Sequence, residues 1–66
     1  MEIVVNGAAR SVAEAATVAA LLDEMQLTGK RLAVERNGEI VPRSRHGATR
    51  LAAGDRLEIV VAVGGG

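Results

Sequence analysis

The chain has 66 residues, of which 48% are hydrophobic and 24% charged, and its formal net charge is zero. This length allows one small domain with a modest core, and the composition is typical of a folded chain rather than a disordered one. Cysteine, phenylalanine, tyrosine and tryptophan are all missing, which excludes a disulfide framework, a thiolate metal site and a thiol nucleophile, and removes the aromatic platforms on which single-stranded nucleic acid stacks.

The first predicted element is a β-hairpin across residues 2–12. The stretch "EIVV" is β-branched and typical of a strand, and the Asn6-Gly7 pair after it is the strongest short signal for a hairpin turn. The stretch "AARSV" is then the returning strand.

A helix is predicted next, because four apolar residues recur at helical spacing along one face: Val18, Leu21, Leu22 and Met25. Thr17 is the expected N-cap and Gly29 the expected stop. Ser11 and Glu14 form a competing capping-box pattern. Thr17 is preferred because the alanine-rich residues between the two starts add no large apolar side chain to the face.

The stretch "RLAVERNGEIV" predicts a second hairpin, with its turn at Asn37-Gly38. Side chains alternate along a strand, so Leu32 and Val34 share one face and Ala33 belongs to the other.

The remainder contains one more strand. Pro42 is expected at a strand end because it has no N–H to donate, and residues 43–53 read as irregular with one short helical turn. Asp55 is expected to serve the turn before the last strand, "RLEIVVAV". One helix across a mixed sheet gives an α+β domain, in which the first and last strands are parallel neighbours if the helix belongs to a crossover.

Few residues of the sequence are candidates for a catalytic role. His46 is the only histidine and has no neighbouring ligands at metal-binding spacing, so we expect a solvent-facing loop residue. Glu35 and Glu39 are interpreted as surface carboxylates, because a chain this small hardly forms the cleft that paired-carboxylate catalysis needs.

Charge is unevenly distributed, since residues 30–50 are basic and residues 1–29 are acidic. The basic segment suits a protein docking surface, with a solvated arginine-rich loop as the alternative.

The first residues lack the apolar run of a signal peptide, and no stretch reaches membrane-spanning length. We therefore expect a cytoplasmic protein that binds neither membranes nor nucleic acid.

The last strand runs into Gly64, Gly65 and Gly66. Three such residues form a side-chain-free arm of at most ~10 Å, long enough to enter a narrow active site on a partner. A carboxylate at its end becomes an acyl donor if a partner enzyme adenylates it with ATP, after which a sulfur nucleophile replaces AMP. The alternative is an idle flexible tail. We expect residues 1–63 to form the domain and residues 64–66 to be a tail that is disordered in the free protein.

The chain resembles the ThiS family of ubiquitin-like sulfur carriers of thiamine biosynthesis. The resemblance rests on "EIVVNG", "TVAALL", "AVERNGEIVPR", "LAAGDRLEIV" and the Gly-Gly ending. It implies a β-grasp fold, with a mixed sheet of four to five strands and one main helix across it. It also implies that Gly66 is adenylated and converted to a thiocarboxylate, with Gly64 and Gly65 entering the partner's active site.

The implied partners are a ThiF-like adenylating enzyme that uses ATP and Mg²⁺, a sulfur-donating enzyme of the cysteine desulfurase type, and thiazole synthase. The chain itself is expected to bind no cofactor or metal and to be a protein co-substrate rather than an enzyme. Two alternatives remain open: a molybdopterin-type sulfur carrier, and a non-catalytic β-grasp interaction module.

A docking surface follows from strand alternation. In the last strand, four side chains should face the helix: Leu57, Ile59, Val61 and Val63. We predict that the opposite face carries an apolar patch of Val4, Val60 and Ala62, extended by Ala33, with Arg36 and Arg43 as its polar rim.

Overall fold

The computed structural model describes residues 1–62. Its strands are β1 (Glu2–Val5), β2 (Ala8–Ser11), β3 (Leu32–Arg36), β4 (Glu39–Val41) and β5 (Arg56–Val61), and its helical elements are α1 (Val18–Glu24) and a 3-10 turn (Arg43–Arg45). The five strands form one sheet in the order β2-β1-β5-β3-β4. The predicted α+β domain with a mixed sheet is therefore confirmed, while the expectations for Val63 and for the tail at 64–66 lie outside the described residues.

Both predicted hairpins are present, and each turns on an Asn-Gly pair. Asn6 and Gly7 have φ values of 50° and 83°, and Asn37 and Gly38 have values of 51° and 85°. Positive φ at both central residues defines the type I′ turn, whose twist matches that of the flanking strands. A two-residue loop of this kind fixes the register of both hairpins.

The two asparagine side chains also bind the central strand. Asn6 accepts from the Ile59 N–H through Oδ1 at 2.7 Å and donates to the Ile59 carbonyl through Nδ2 at 3.1 Å. Asn37 accepts from the Arg56 N–H at 2.9 Å and donates to a carboxylate oxygen of Asp55 at 3.1 Å. Asp55 also accepts from the Ala52 N–H at 2.8 Å, which confirms its expected place in the turn before β5.

The helix begins as predicted and ends earlier. The Thr17 hydroxyl accepts a hydrogen bond from the Ala20 N–H at 3.1 Å, so Thr17 is the N-cap. Helix α1 stops at Glu24, and the chain turns through Gln26, whose φ is 60°. The expected stop at Gly29 is therefore wrong, because a non-glycine residue adopts the left-handed conformation three positions earlier.

The core lies between α1 and one face of the sheet and is entirely aliphatic. Val18, Leu21 and Leu22 bury one face of the helix. The buried sheet residues opposite them are Ile3, Val5, Val34, Val41, Leu57 and Ile59. Val61 is half-buried, at the end of the same row. The predicted inward positions of Leu57, Ile59 and Val61 on β5 are thus confirmed.

Replacement of Asn6 by glycine tests how much the hydrogen bonds from its side chain to β5 contribute to stability, apart from its backbone conformation in the turn. Asn6→Gly keeps access to positive φ but removes both contacts with Ile59, so we expect the free energy of unfolding to fall by about 1–3 kcal/mol. Urea denaturation followed by circular dichroism measures the change. An unchanged midpoint would show that Asn6 supplies only the turn.

Candidate functional site

The segment that precedes the glycines is held at the centre of the sheet. Strand β5 pairs with β1 on one side and with β3 on the other. Beyond its end, the Ala62 N–H still donates to the Arg31 carbonyl at 2.9 Å. The predicted reacting residue Gly66, with Gly64 and Gly65, lies outside the described residues, so the structure bears on the strand that leads to them.

We call the side of the sheet opposite α1 the open face. Val60 lies on it with 65% of its surface exposed, directly opposite Ala33 on β3. Ala62 follows two residues later and is also exposed. The structure thus brings together three of the residues predicted for the apolar patch, and their role in binding remains a prediction.

Val4 does not join this patch. It is half-buried and lies beside Arg56, four residues before Val60 on β5. At about 3.3 Å per residue this places Val4 about 13 Å from Val60 along the strand direction. The reason is that β1 ends at Val5 and turns away, so it borders only the first part of β5.

The two arginines predicted as a rim lie on the other side of the sheet. Arg36 is two residues from the buried Val34 and therefore lies on the same α1 side of the sheet, where its Nη1 donates to the Arg50 carbonyl at 2.8 Å. Arg43 belongs to the 3-10 turn, and its Nη2 donates to the Lys30 carbonyl at 3.0 Å. Arg43 also lines a cavity of about 350 Å³ together with Leu22 of α1. The expectation that these arginines border the open face is therefore wrong.

Ile40 is an open-face residue that was not predicted from the sequence. It is 65% exposed and lies directly opposite Glu35, whose other neighbour across the sheet is Glu58. A two-residue turn at Asn37-Gly38 places residue 40 opposite residue 35, so the sequence did contain the signal. The open face therefore carries two widely exposed apolar side chains: Ile40, in the same cross-strand row as Glu35 and Glu58, and Val60, in the next row.

His46 is buried, contrary to expectation. Its Nε2 lies 3.1 Å from the Val41 carbonyl oxygen, and its own carbonyl accepts from the Ala19 N–H at 2.9 Å. The 3-10 turn directs the chain back under α1, and this packing encloses the imidazole. Among residues 1–62, no group of three or more histidine, aspartate or glutamate side chains is placed to hold a metal ion, and no helix is long and apolar enough to cross a membrane.

Comparison with solved structures supports the architecture. A crystal structure of the thiamine biosynthesis protein ThiS from Geobacter metallireducens is 35% identical, covers 100% of both chains and superposes with a TM-score of 0.84. A solution structure of a thiamine biosynthesis protein from the same organism is also 35% identical, covers 100% of this chain and 88% of that one, and has a TM-score of 0.81. The domain accordingly has the β-grasp fold of these neighbours.

Curated relatives are longer proteins. A thiazole synthase of Paramagnetospirillum magneticum is 46% identical over 66 residues, which make up 100% of this chain and 20% of that protein. A thiazole synthase of Magnetococcus marinus is 35% identical over 66 residues, which again make up 100% of this chain and 20% of that protein. The chain therefore spans a fifth of the length of these relatives. The model of the ThiS family matches residues 3–66, and this match across nearly the whole sequence shows that the chain belongs to the ThiS family.

Proposed function

We propose that this chain is a sulfur carrier in which the carboxylate of Gly66 is adenylated and converted to a thiocarboxylate that supplies sulfur for the thiazole of thiamine. The observation that carries the proposal is the ThiS family match, which extends through the glycine run to residue 66. The structural neighbours named as thiamine biosynthesis proteins support the same pathway. The reacting species has Gly66 as its last residue, whether encoded so or trimmed.

The proposed chemistry has two balanced steps. A carboxylate oxygen of Gly66 attacks the α-phosphorus of ATP, and pyrophosphate leaves as the acyl-adenylate forms. A sulfur nucleophile at the oxidation level of sulfide then attacks the acyl carbon, AMP leaves, and the thiocarboxylate remains. Because residues 64 and 65 are glycines, no side chain obstructs the approach of the carboxylate to ATP or of the sulfur nucleophile to the acyl carbon.

The catalytic groups of both steps are proposed to reside in the partners. A ThiF-like adenylating enzyme binds ATP and Mg²⁺, and an enzyme of the cysteine desulfurase type supplies the sulfur as a persulfide. A thiol reductant releases the outer sulfur of that persulfide at the oxidation level of sulfide and is itself oxidised to a disulfide. The chain takes part as a protein co-substrate, and we infer a cytoplasmic location because adenylation consumes ATP. The proposal of thiazole synthase as sulfur acceptor is supported by the curated relatives, in which a segment similar to this chain lies within a protein of that name.

The open face is proposed to hold the chain on its partner while the glycines enter the active site. Val60 lies on β5, the strand that precedes the tail, Ala62 follows the end of that strand, and Ala33 lies opposite Val60 on β3. Contact at this point fixes the direction of the segment that follows Ala62 and leaves the α1 side free.

Extension of the tail tests the reacting residue. One alanine added after Gly66 moves the carboxylate to a residue with a side chain, so we expect ATP-dependent pyrophosphate release by the adenylating enzyme to be lost. The unextended chain is the control. Undiminished pyrophosphate release from an extended chain whose intact mass shows no trimming would contradict the proposal.

Paired substitutions on β5 test the open face. Val60→Asp places a charge in solvent and should change the free energy of unfolding by no more than about 0.5 kcal/mol, while weakening binding to the adenylating enzyme about tenfold or more. Ile59→Asp, one residue earlier, buries an unpaired charge and should unfold the domain.

Circular dichroism and a binding titration of both variants provide the comparison. Wild-type affinity for a folded Val60→Asp variant would remove Val60 from the docking surface.

A further inference from the structure

We propose that the open face recognises the adenylating enzyme through a cationic side chain, which the enzyme inserts at the Glu35–Glu58 pair with apolar contacts to Ile40 and Val60 on either side. This inference rests on the proposed function and specifies the chemistry of the partner surface.

The two glutamates are held next to each other by the backbone. Glu35 on β3 and Glu58 on β5 are directly opposite in the antiparallel ladder. Directly opposite residues have Cβ atoms about 5 Å apart, and like charges in such pairs destabilise a sheet. The Asn37 contacts with Arg56 fix this register, so the pair cannot be relieved by a slip of the strands.

Neither carboxylate is neutralised within the part of the chain that the structure describes. The ion pairs found among residues 1–62 join the N-terminus to Glu14, Arg10 to Glu24, and Arg36 to Asp55. Arg56 shares the open face, two residues before Glu58, but forms no ion pair with Glu35 or Glu58. The glutamate pair therefore has no ion-pair partner among residues 1–62, and a cation from outside would supply one.

Apolar side chains lie on both sides of this charge. Ile40 neighbours Glu35 on β4, and Val60 follows Glu58 by two residues, each with 65% of its surface exposed. Apolar contacts that exclude water strengthen a charged hydrogen bond between them. An arginine suits the position, because its planar guanidinium can donate to two carboxylates while its stem lies against aliphatic surface.

The chemistry of the face selects its occupant. Carboxylates repel the phosphates of nucleic acids and of anionic lipids, which leaves a basic protein surface. In the curated relatives, a segment like this chain is part of a polypeptide named thiazole synthase, so linkage supplies a high effective concentration of that partner. An adenylating enzyme that binds from solution depends more on surface recognition.

Neutral variants of the pair provide the test. We expect Glu35→Gln combined with Glu58→Gln to weaken binding to the purified adenylating enzyme about tenfold at low salt and to flatten the salt dependence of the dissociation constant. The same variant should unfold at an equal or higher urea concentration than wild type, because a repulsion has been removed. A residue needed only for folding would give the opposite change in stability.

Glu39→Gln is the matched control. Glu39 is exposed but lies opposite Arg36, on the other side of the sheet, so its neutralisation should leave affinity within about twofold. Unchanged affinity of the double variant, or an equal loss in the Glu39 variant, overturns the inference. So does wild-type self-association in sedimentation that the double variant abolishes without a change in enzyme affinity.

Pyrophosphate release separates this inference from the function on which it rests. If the wild-type chain supports pyrophosphate release but the double glutamine variant binds the enzyme with wild-type affinity, only the proposed docking chemistry is contradicted. No ATP-dependent release with wild type would contradict the proposed function itself.

Discussion

The structure depends on the attachment of two asparagine side chains to the central strand. Backbone bonds between β1 and β5 run from Val4 to Asp55 and from Asn6 to Leu57, and the Asn6 amide then continues the ladder to Ile59 after β1 has turned away. Asn37 does the same from the other side, at the first residue of β5. These contacts hold β5 in one register, which decides which of its side chains enter the core and which reach the open face.

This arrangement explains how a chain without aromatic residues can present a defined surface. The aliphatic core occupies one side of the sheet, and β5, at the centre of the sheet, carries Glu58 and Val60 on the other. Arg36 and Arg43 lie on the α1 side, where they donate to backbone carbonyls. The open face carries the Glu35–Glu58 pair beside the exposed side chains of Ile40 and Val60, which is the basis for the proposed recognition of a cationic side chain.

Local signals predicted most of the fold. The Asn-Gly pairs specified both hairpins, Thr17 specified the start of the helix, and alternation specified the two faces of β5, because each of these features depends on neighbouring residues. The Gly29 stop failed because Gln26 adopts a left-handed conformation within a loop that the core constrains. The burial of His46 depends on packing between the 3-10 turn and α1, which no local pattern records.

The candidate surface was only partly predictable for the same reason. Val60 and Ala33 are neighbours because β3 pairs with β5, but the separation of Val4 from them depends on where β1 ends relative to β5.

Two other residues were mispredicted although the local sequence determines their positions. The face of Arg36 follows from its spacing from Val34, and the cross-strand partner of Ile40 follows from the Asn37-Gly38 turn. The Glu35–Glu58 pair becomes visible only when strands distant in sequence are placed in register.

Conversion of Gly66 to a thiocarboxylate is detected by intact-mass spectrometry of the chain after incubation with the adenylating enzyme, ATP and a sulfide-level sulfur donor. We expect a mass gain equal to the replacement of one oxygen by sulfur, located by fragmentation at Gly66 and absent when ATP is omitted. A sulfur atom located at any other residue, or an unchanged mass under conditions in which the enzyme consumes ATP on the chain, would contradict the proposed conversion.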